Sequence, residues 1–109
     1  MGATKTTLFT KEQNDLALMA KAIAHPARIA ILQHIVQTNT CICGDLVEEL
    51  GLAQPTISQH LKELKNVNLI EGIIEGNSVC YCINKETWAA FRKFLNAFFV
   101  PVKINKKCC

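Results

Sequence analysis

Apolar residues in the first half of the chain recur three or four positions apart, with polar residues between them. Over residues 11–24 this spacing predicts an amphipathic helix. His25-Pro26 interrupts the pattern, and because proline suits the first turn of a helix, a second helix is predicted over residues 26–37. The apolar positions of the two helices are Leu16, Met19, Ala20, Ile23, Ile29, Leu32, Ile35 and Val36.

Two shorter helices are predicted next. The third covers residues 45–50 and is ended by Gly51, at a position where a left-handed residue is commonly needed. The fourth opens at Gln54-Pro55. Its buried stripe, at spacings of four and three, is Ile57, Leu61 and Leu64. Two short helices joined by a glycine-containing turn are typical of a helix-turn-helix motif.

The outward face of the fourth helix carries the candidate DNA contacts. Its side chains are hydrogen-bond donors and acceptors, which can reach base edges and phosphates. They are Thr56, Ser58, Gln59, His60, Lys62 and Lys65. An ordinary polar surface is the alternative interpretation, but the place of this helix within the motif favours DNA binding. We expect the two lysines to contact phosphates and Ser58, Gln59 and His60 to lie nearer the bases.

The rest of the chain predicts a β-hairpin and a final helix. Residues 69–74 and 79–83 are β-prone and flank a turn-forming cluster. Because the hairpin offers Glu75 and no Lys or Arg, we expect its DNA contacts either to be weak or to come from Asn77 and backbone amides. The order of elements predicts a mainly α fold with a β-hairpin wing, an α+β winged helix-turn-helix.

The final helix, predicted over residues 85–100, has more large apolar residues than a core of this size needs. The surplus indicates that the chain dimerises through this helix and the first one. The predicted interface residues are Leu16, Met19, Ile23, Trp88, Phe91, Leu95 and Phe98.

The length of 109 residues predicts a single domain, residues 1–109, with flexible ends at residues 1–10 and 101–109. The longest apolar runs are far shorter than the ~20 residues of a membrane span. Residues 1–10 lack the pattern of a secretory signal, so we expect a cytoplasmic protein with no membrane partner. The net charge of +3 permits nucleic-acid binding but does not indicate it unaided.

Cysteines are frequent and arranged in close pairs. In a reducing cytosol, such a count points to metal binding or thiol chemistry rather than to a disulfide framework. The three pairs are Cys41 with Cys43, Cys80 with Cys82, and Cys108 with Cys109. Cys80 and Cys82 share one face of a predicted strand and are interpreted as structural. The last pair lies beside lysines in a tail of considerable reach, where thiolates are favoured.

Cys41 and Cys43 lie just before the third helix. A helix N-terminus favours thiolates, which are soft metal ligands. Sulfurs two residues apart could share one ion, whereas a disulfide within the pair would be strained. The alternative is that both are small apolar residues.

Three segments carry a family resemblance. They are AIAHPARIAIL, CICGDLVEELGLAQPTISQHLKELKNVNLI and the hairpin ending in VCYCI. Together, over roughly residues 12–100, they resemble the ArsR/SmtB family of metal- and metalloid-responsive bacterial repressors, with QPTISQHLKELK the most specific part. The resemblance implies a homodimer that binds double-stranded operator DNA, represses transcription and releases the DNA when an inducer binds. It implies no required cofactor.

Within that family, the Cys-x-Cys segment looks like the thiolate site of arsenic, antimony, cadmium and lead sensors. The similar arsenical repressors have Cys-x-Cys-Asp-Leu followed by a third cysteine. Here Gly44 is inserted before Asp45, and Val47 takes the place of the third cysteine. The tail could complete the site, or a two-sulfur site could serve a monomethylated arsenical. The candidate ligands are Cys41, Cys43, Cys108 and Cys109.

The implied inducer is As(III) or Sb(III), with Cd(II) or Pb(II) as alternatives. The family's zinc sensors often place Asp and His ligands on the last helix, and residues 85–100 contain neither. A redox or reactive-sulfur sensor of the same fold is the main competing hypothesis, and a dimerisation module is another. An enzyme is not expected, because a thiol oxidoreductase would need Cys-x-x-Cys in a βαβ setting.

Overall fold

The protein is described by a computed structural model that covers residues 6–42, 44, 46–76 and 78–104. Five α-helices and one two-stranded antiparallel sheet follow in the predicted order. They are α1 (Lys11–Ile23), α2 (Pro26–Thr38), α3 (Leu46–Leu50), α4 (Gln54–Asn66), β1 (Ile70–Glu75), β2 (Ser78–Ile83) and α5 (Lys85–Phe98). The winged helix-turn-helix prediction is confirmed, with boundaries shifted by one or two residues.

The two ends of the chain were predicted to be flexible. The structure adds a short 3-10 helix at Thr6–Leu8, which the sequence pattern did not predict. Residues 101–104 have no regular secondary structure. The last five residues, which include Cys108 and Cys109, lie outside the described residues, so the flexibility of the ends stays a prediction.

Side chains next to the helices fix where α1 and α2 begin. Thr10 Oγ1 accepts a hydrogen bond from the Gln13 backbone N–H (3.0 Å), and Gln13 Oε1 accepts one from the Thr10 N–H (2.9 Å). This reciprocal pair satisfies two N–H groups that the helix itself leaves free. At α2, Pro26 takes the first position and His25 Nδ1 accepts from the Ala27 N–H at 3.0 Å. The predicted break at His25-Pro26 is thus a capped helix start.

The main core lies where α2, α3, α4 and α5 meet the hairpin. Its buried members are Ile31, Leu32, Ile35, Ile42, Leu46, Ile57, Leu61, Leu64, Leu69, Ile70 and Phe91. The predicted stripe of α4 is confirmed. On α2 the prediction is partly wrong, because Ile31 is buried while Ile29 and Val36 are partly exposed. Both exposed residues line an open apolar cavity of about 440 Å³ between α2 and α5.

The predicted dimer residues lie in different surroundings. Phe91 is only 6% exposed within a single chain, so its assignment to an interface is wrong: it belongs to the core. Phe98 is 62% exposed, as an interface residue must be. The others are partly buried against the core, where α1 packs on α5. They are Leu16, Met19, Ile23, Trp88 and Leu95.

The loop between α2 and α3 is attached to the hairpin. Ile42 forms an isolated antiparallel bridge with Tyr81 of β2, with N–H to O=C distances of 2.9 and 2.8 Å. Gly44 then has a φ of 110°, which side chains with a Cβ rarely adopt. This glycine, inserted relative to the arsenical repressors, lets the chain turn from the bridge into α3. None of the described helices is long and apolar enough to cross a membrane.

Candidate functional site

The outer face of α4 is the first candidate site. Its predicted orientation is confirmed for five of the six residues, which are exposed: Thr56, Ser58, Gln59, Lys62 and Lys65. Gln54 Nε2 donates to Ser58 Oγ at 3.2 Å, and Gln59 Nε2 donates to Glu63 Oε1 at 3.2 Å. These bonds within the helix leave the Gln59 side-chain oxygen available to a ligand and orient its amide.

His60 is the exception, and its predicted outward orientation is wrong. Its side chain is buried, with only 8% of the residue exposed. Its Nδ1 accepts a hydrogen bond from Arg28 Nε at 3.2 Å, and its ring lies 4.4 Å from the His25 ring, centroid to centroid. The helical period explains the difference, because His60 precedes Leu61 and lies on the edge of the buried stripe.

The His60 contact fastens the recognition helix to the α1–α2 junction. Arg28 Nη1 also donates to the Ala22 carbonyl oxygen at 3.0 Å, so one guanidinium joins α1, α2 and α4. Loss of solvation lowers the pKa of His60, and the charges of His25 and Arg28 lower it further. His60 is therefore held neutral, in the form whose Nδ1 can accept from Arg28.

The hairpin presents a different surface from α4. Ile74, 79% exposed, pairs directly with Val79 across the two strands, and Glu75 is exposed at the turn. Neither strand carries a Lys or Arg. Lys65 of α4 lies close to strand β1: if Gly72 carried a Cβ atom, that atom would be 3.8 Å from Lys65 Nζ. Asn77, the predicted wing contact, lies outside the described residues.

The described cysteines meet at the junction of the α2–α3 loop and the wing. Cys41 and Cys82 form a disulfide, with a Cα–Cα distance of 4.3 Å. Cys80 is buried, as predicted, and is also disulfide-bonded. The expectation that the cysteines do not form disulfides is therefore wrong for Cys41 and Cys82, while the structural role expected of Cys80 and Cys82 stays a prediction.

The sequence held a signal for this pairing. Its two Cys-x-Cys segments are centred on Ile42 and Tyr81, the two residues of the bridge. Side chains alternate along extended strands, so two segments with the same spacing can face each other across a bridge. When each cysteine pair is considered by itself, as metal ligands or as core residues, the match between the two segments is not seen.

The metal-site prediction has not been tested. Among the described residues there is no group of three or more His, Cys, Asp or Glu side chains that could hold a metal ion. Three of the four candidate ligands, Cys43, Cys108 and Cys109, lie outside those residues. Cys41, the fourth, is the one in the disulfide with Cys82.

Comparisons with known proteins agree with this architecture. Residues 25–71 match the model of the family described as "Bacterial regulatory protein, arsR family". The chain is 33% identical over 72 residues to the arsenical resistance operon repressor of Staphylococcus xylosus, covering 66% of this chain and 68% of that protein. It is 28% identical over 95 residues to a biofilm growth-associated repressor of Agrobacterium fabrum, covering 87% of this chain and 80% of the relative.

Solved structures give the same result. HlyU from Vibrio cholerae superposes with a TM-score of 0.67 at 26% identity, covering 84% of this chain and 98% of that one. A structure described as reduced HlyU from the same organism gives a TM-score of 0.65 at 26% identity, covering 84% and 95%. The matched family is one of bacterial regulatory proteins and both relatives named above are repressors, so the expectation that the chain is not an enzyme is confirmed. The chain belongs to the ArsR family of bacterial regulatory proteins.

Proposed function

We propose that this ArsR-family regulator is a cytoplasmic repressor that binds operator DNA as a homodimer. Support comes from the exposed donors and acceptors of α4, which lie where the second helix of the motif enters the major groove. The exposed apolar side chains near the ends of the described chain support a dimer, because an interface between two copies would cover them. They are Leu8, Phe9, Leu18, Phe98, Phe99 and Val102.

The disulfide between Cys41 and Cys82 carries the proposal for what is sensed. It ties the loop that enters α3 to the second strand of the wing. Oxidation of the two thiols would add this covalent link, and reduction would remove it while the Ile42–Tyr81 bridge remains. In a reducing compartment a disulfide is usually transient and redox-sensing. The inducing signal is therefore an oxidant that converts the two thiols to the disulfide.

The disulfide would affect DNA binding through the packing of the helices. α3 packs on α4, so the position of the α3 entry affects the recognition helix. The wing and α4 must fit the same DNA together, and in a homodimer both half-sites must fit at once. A locked distance between loop and wing limits that adjustment, so the oxidised protein releases the operator. A coupling of about 1–3 kcal/mol, roughly 5- to 150-fold in affinity, is typical of such linkage.

A second candidate function is sensing of As(III) or Sb(III), with Cd(II) or Pb(II) as alternatives. Two observations favour it: the Cys-x-Cys segment, and the similarity to the Staphylococcus xylosus protein named an arsenical resistance operon repressor. In the reduced protein, Cys41 and Cys82 would offer two thiolates close enough to share one soft ion. Cys43, Cys108 or Cys109 would supply further sulfur.

Fluorescence anisotropy of the reduced protein on its own promoter DNA separates the candidates. Wild type and the Cys41→Ser and Cys82→Ser variants are titrated with peroxide, arsenite and cadmium. Release by peroxide in wild type but in neither variant supports the disulfide switch. Release by arsenite that requires Cys41 supports metalloid sensing. If none of the three agents changes affinity, the thiols are not the sensor, and if reduced wild type binds no operator, the repressor proposal fails.

A further inference from the structure

A cavity of about 380 Å³ opens beside the Cys41–Cys82 disulfide, and both cysteines belong to its wall. Ile35, Ile83 and Trp88 form apolar parts of the same wall. Both cysteines are half-buried, and the cavity that they line is partly open to solvent. A reactant that opens or forms this bond would enter through the cavity.

The charge at this cavity has one sign. Lys85 is the only charged side chain among the described residues that line it, and the polar neighbours are Asn39 and Thr40. Lys85 is also the first residue of α5, a helix of 14 residues capped by the Asn84 side chain, which accepts from the Thr87 N–H at 3.2 Å. The positive end of the helix dipole adds to the field of the ammonium group. The rim is therefore suited to an anion.

We propose that the cavity is a binding site for a low-molecular-weight thiol that carries a carboxylate, and that this thiol resets the switch by reducing the disulfide. The inference rests on the proposed redox function. A volume of about 380 Å³ lies within the range of small-molecule sites, roughly 300–1,000 Å³. Lys85 holds the carboxylate, while the apolar wall contacts the carbon chain.

The reaction is a balanced thiol–disulfide exchange. The thiolate of the bound molecule attacks one sulfur of the protein disulfide, forms a mixed disulfide with it, and releases the other cysteine as a thiolate. A second molecule of the same thiol attacks the mixed disulfide. The two small thiols leave joined as the small-molecule disulfide, and the second cysteine is released as a thiolate. Two small thiols are oxidised by two electrons in total, and Cys41 and Cys82 are reduced by the same two.

The test compares three thiols of different charge on the oxidised full-length protein: mercaptopropionate, mercaptoethanol and cysteamine, which are anionic, neutral and cationic. Trp88, the single tryptophan of the chain, lines the cavity and reports opening continuously. Timed alkylation and mass spectrometry of the Cys41 and Cys82 peptides assign the change to this disulfide. Each rate constant is divided by that of the same thiol with a small model disulfide, which removes intrinsic reactivity.

The Lys85 variants are expected to react more slowly with the anionic thiol, with no such loss for the other two thiols. Relative to mercaptoethanol, mercaptopropionate should slow about threefold with Lys85→Gln and about tenfold with Lys85→Glu, while cysteamine should speed up. Lys93→Gln, an exposed lysine of α5 outside the cavity wall, is the matched control and should change none of the ratios.

Equal ratios in wild type and both Lys85 variants would overturn this inference while leaving the redox function intact. If instead operator affinity is the same for oxidised and reduced wild type, it is the proposed function that fails. Because both measurements use the same oxidised protein, the two failures can be told apart.

Discussion

Helix α4 and the β-hairpin are the two elements that meet DNA in a winged helix-turn-helix, and here they present opposite surfaces. α4 exposes hydroxyl, amide and ammonium groups. The hairpin exposes Ile74, Val79 and Glu75, and its inner side is disulfide-bonded. Under the proposed function, the difference means that DNA recognition and sensing are divided between them: α4 would supply the contacts, and the hairpin would supply the link to the thiols.

The largest effect expected from this division belongs to Gln59. Its amide is exposed on α4 and oriented by Glu63. We expect Gln59→Ala to lower discrimination between the operator and a mismatched site by about 1–3 kcal/mol, because a side chain that reads base edges is lost. Competition binding with specific and mutated DNA measures this. An equal loss of affinity for both DNA sequences would instead indicate that Gln59 contacts the DNA backbone and not the base edges.

A smaller effect, without sequence preference, is expected for Lys62. Removing one phosphate contact with Lys62→Gln should weaken all sequences alike and reduce the slope of log K against log salt by about 1. Anisotropy at several salt concentrations measures the slope. Lys93→Gln is the control, since it removes the same charge from an exposed position on α5. Identical slopes in the two variants would show that net charge, not a contact by Lys62, is responsible.

The stability of the folded protein should depend on pH through His60 of α4. The pKa of His60 is lowered in the folded protein, whereas the unfolded chain titrates near 6.5. The unfolded state therefore binds more protons just below that pH, and stability falls as the pH drops below about 6.5 until the lower folded pKa is passed. Urea unfolding of wild type between pH 7.5 and pH 5, roughly the range over which histidine titrates, measures this loss.

His60→Gln is the matched variant, because its amide oxygen can accept from Arg28 without titrating. It should unfold with a weaker pH dependence than wild type over the same range. His34→Gln is the control at a histidine whose side chain is outside this cluster. A pH dependence that survives in His60→Gln and disappears in His34→Gln would contradict the assignment.

The smallest effect is expected at the wing. Ile74→Thr keeps β-branching and removes exposed apolar surface, so operator affinity should change by less than about 0.5 kcal/mol. Glu75→Gln should strengthen binding slightly, because a negative charge near phosphates is removed. Anisotropy measures both. A loss of more than tenfold in either variant would break the division between α4 and the hairpin.

How well the sequence predicts each region follows from the range of the interactions that shape it. The helices were predictable because spacing and capping are local: the Ile57, Leu61 and Leu64 stripe and the His25-Pro26 start can each be identified within a few residues. The burial of His60 was not predicted: its place at the edge of the stripe is local, but its contact with Arg28 joins residues 32 positions apart. The disulfide joins residues 41 apart, and only the bridge at Ile42 brings them together.

The most direct test of the central claim is the ratio of operator Kd for peroxide-treated and reduced protein, measured for wild type and Cys82→Ser. Cys82 lies on the wing and outside the Cys-x-Cys segment that precedes α3, so a sensor confined to that segment would not need it. The account predicts a ratio between about 5 and 150 for wild type and near 1 for Cys82→Ser. An equal, large ratio in both proteins would show that oxidation acts elsewhere and contradict the claim.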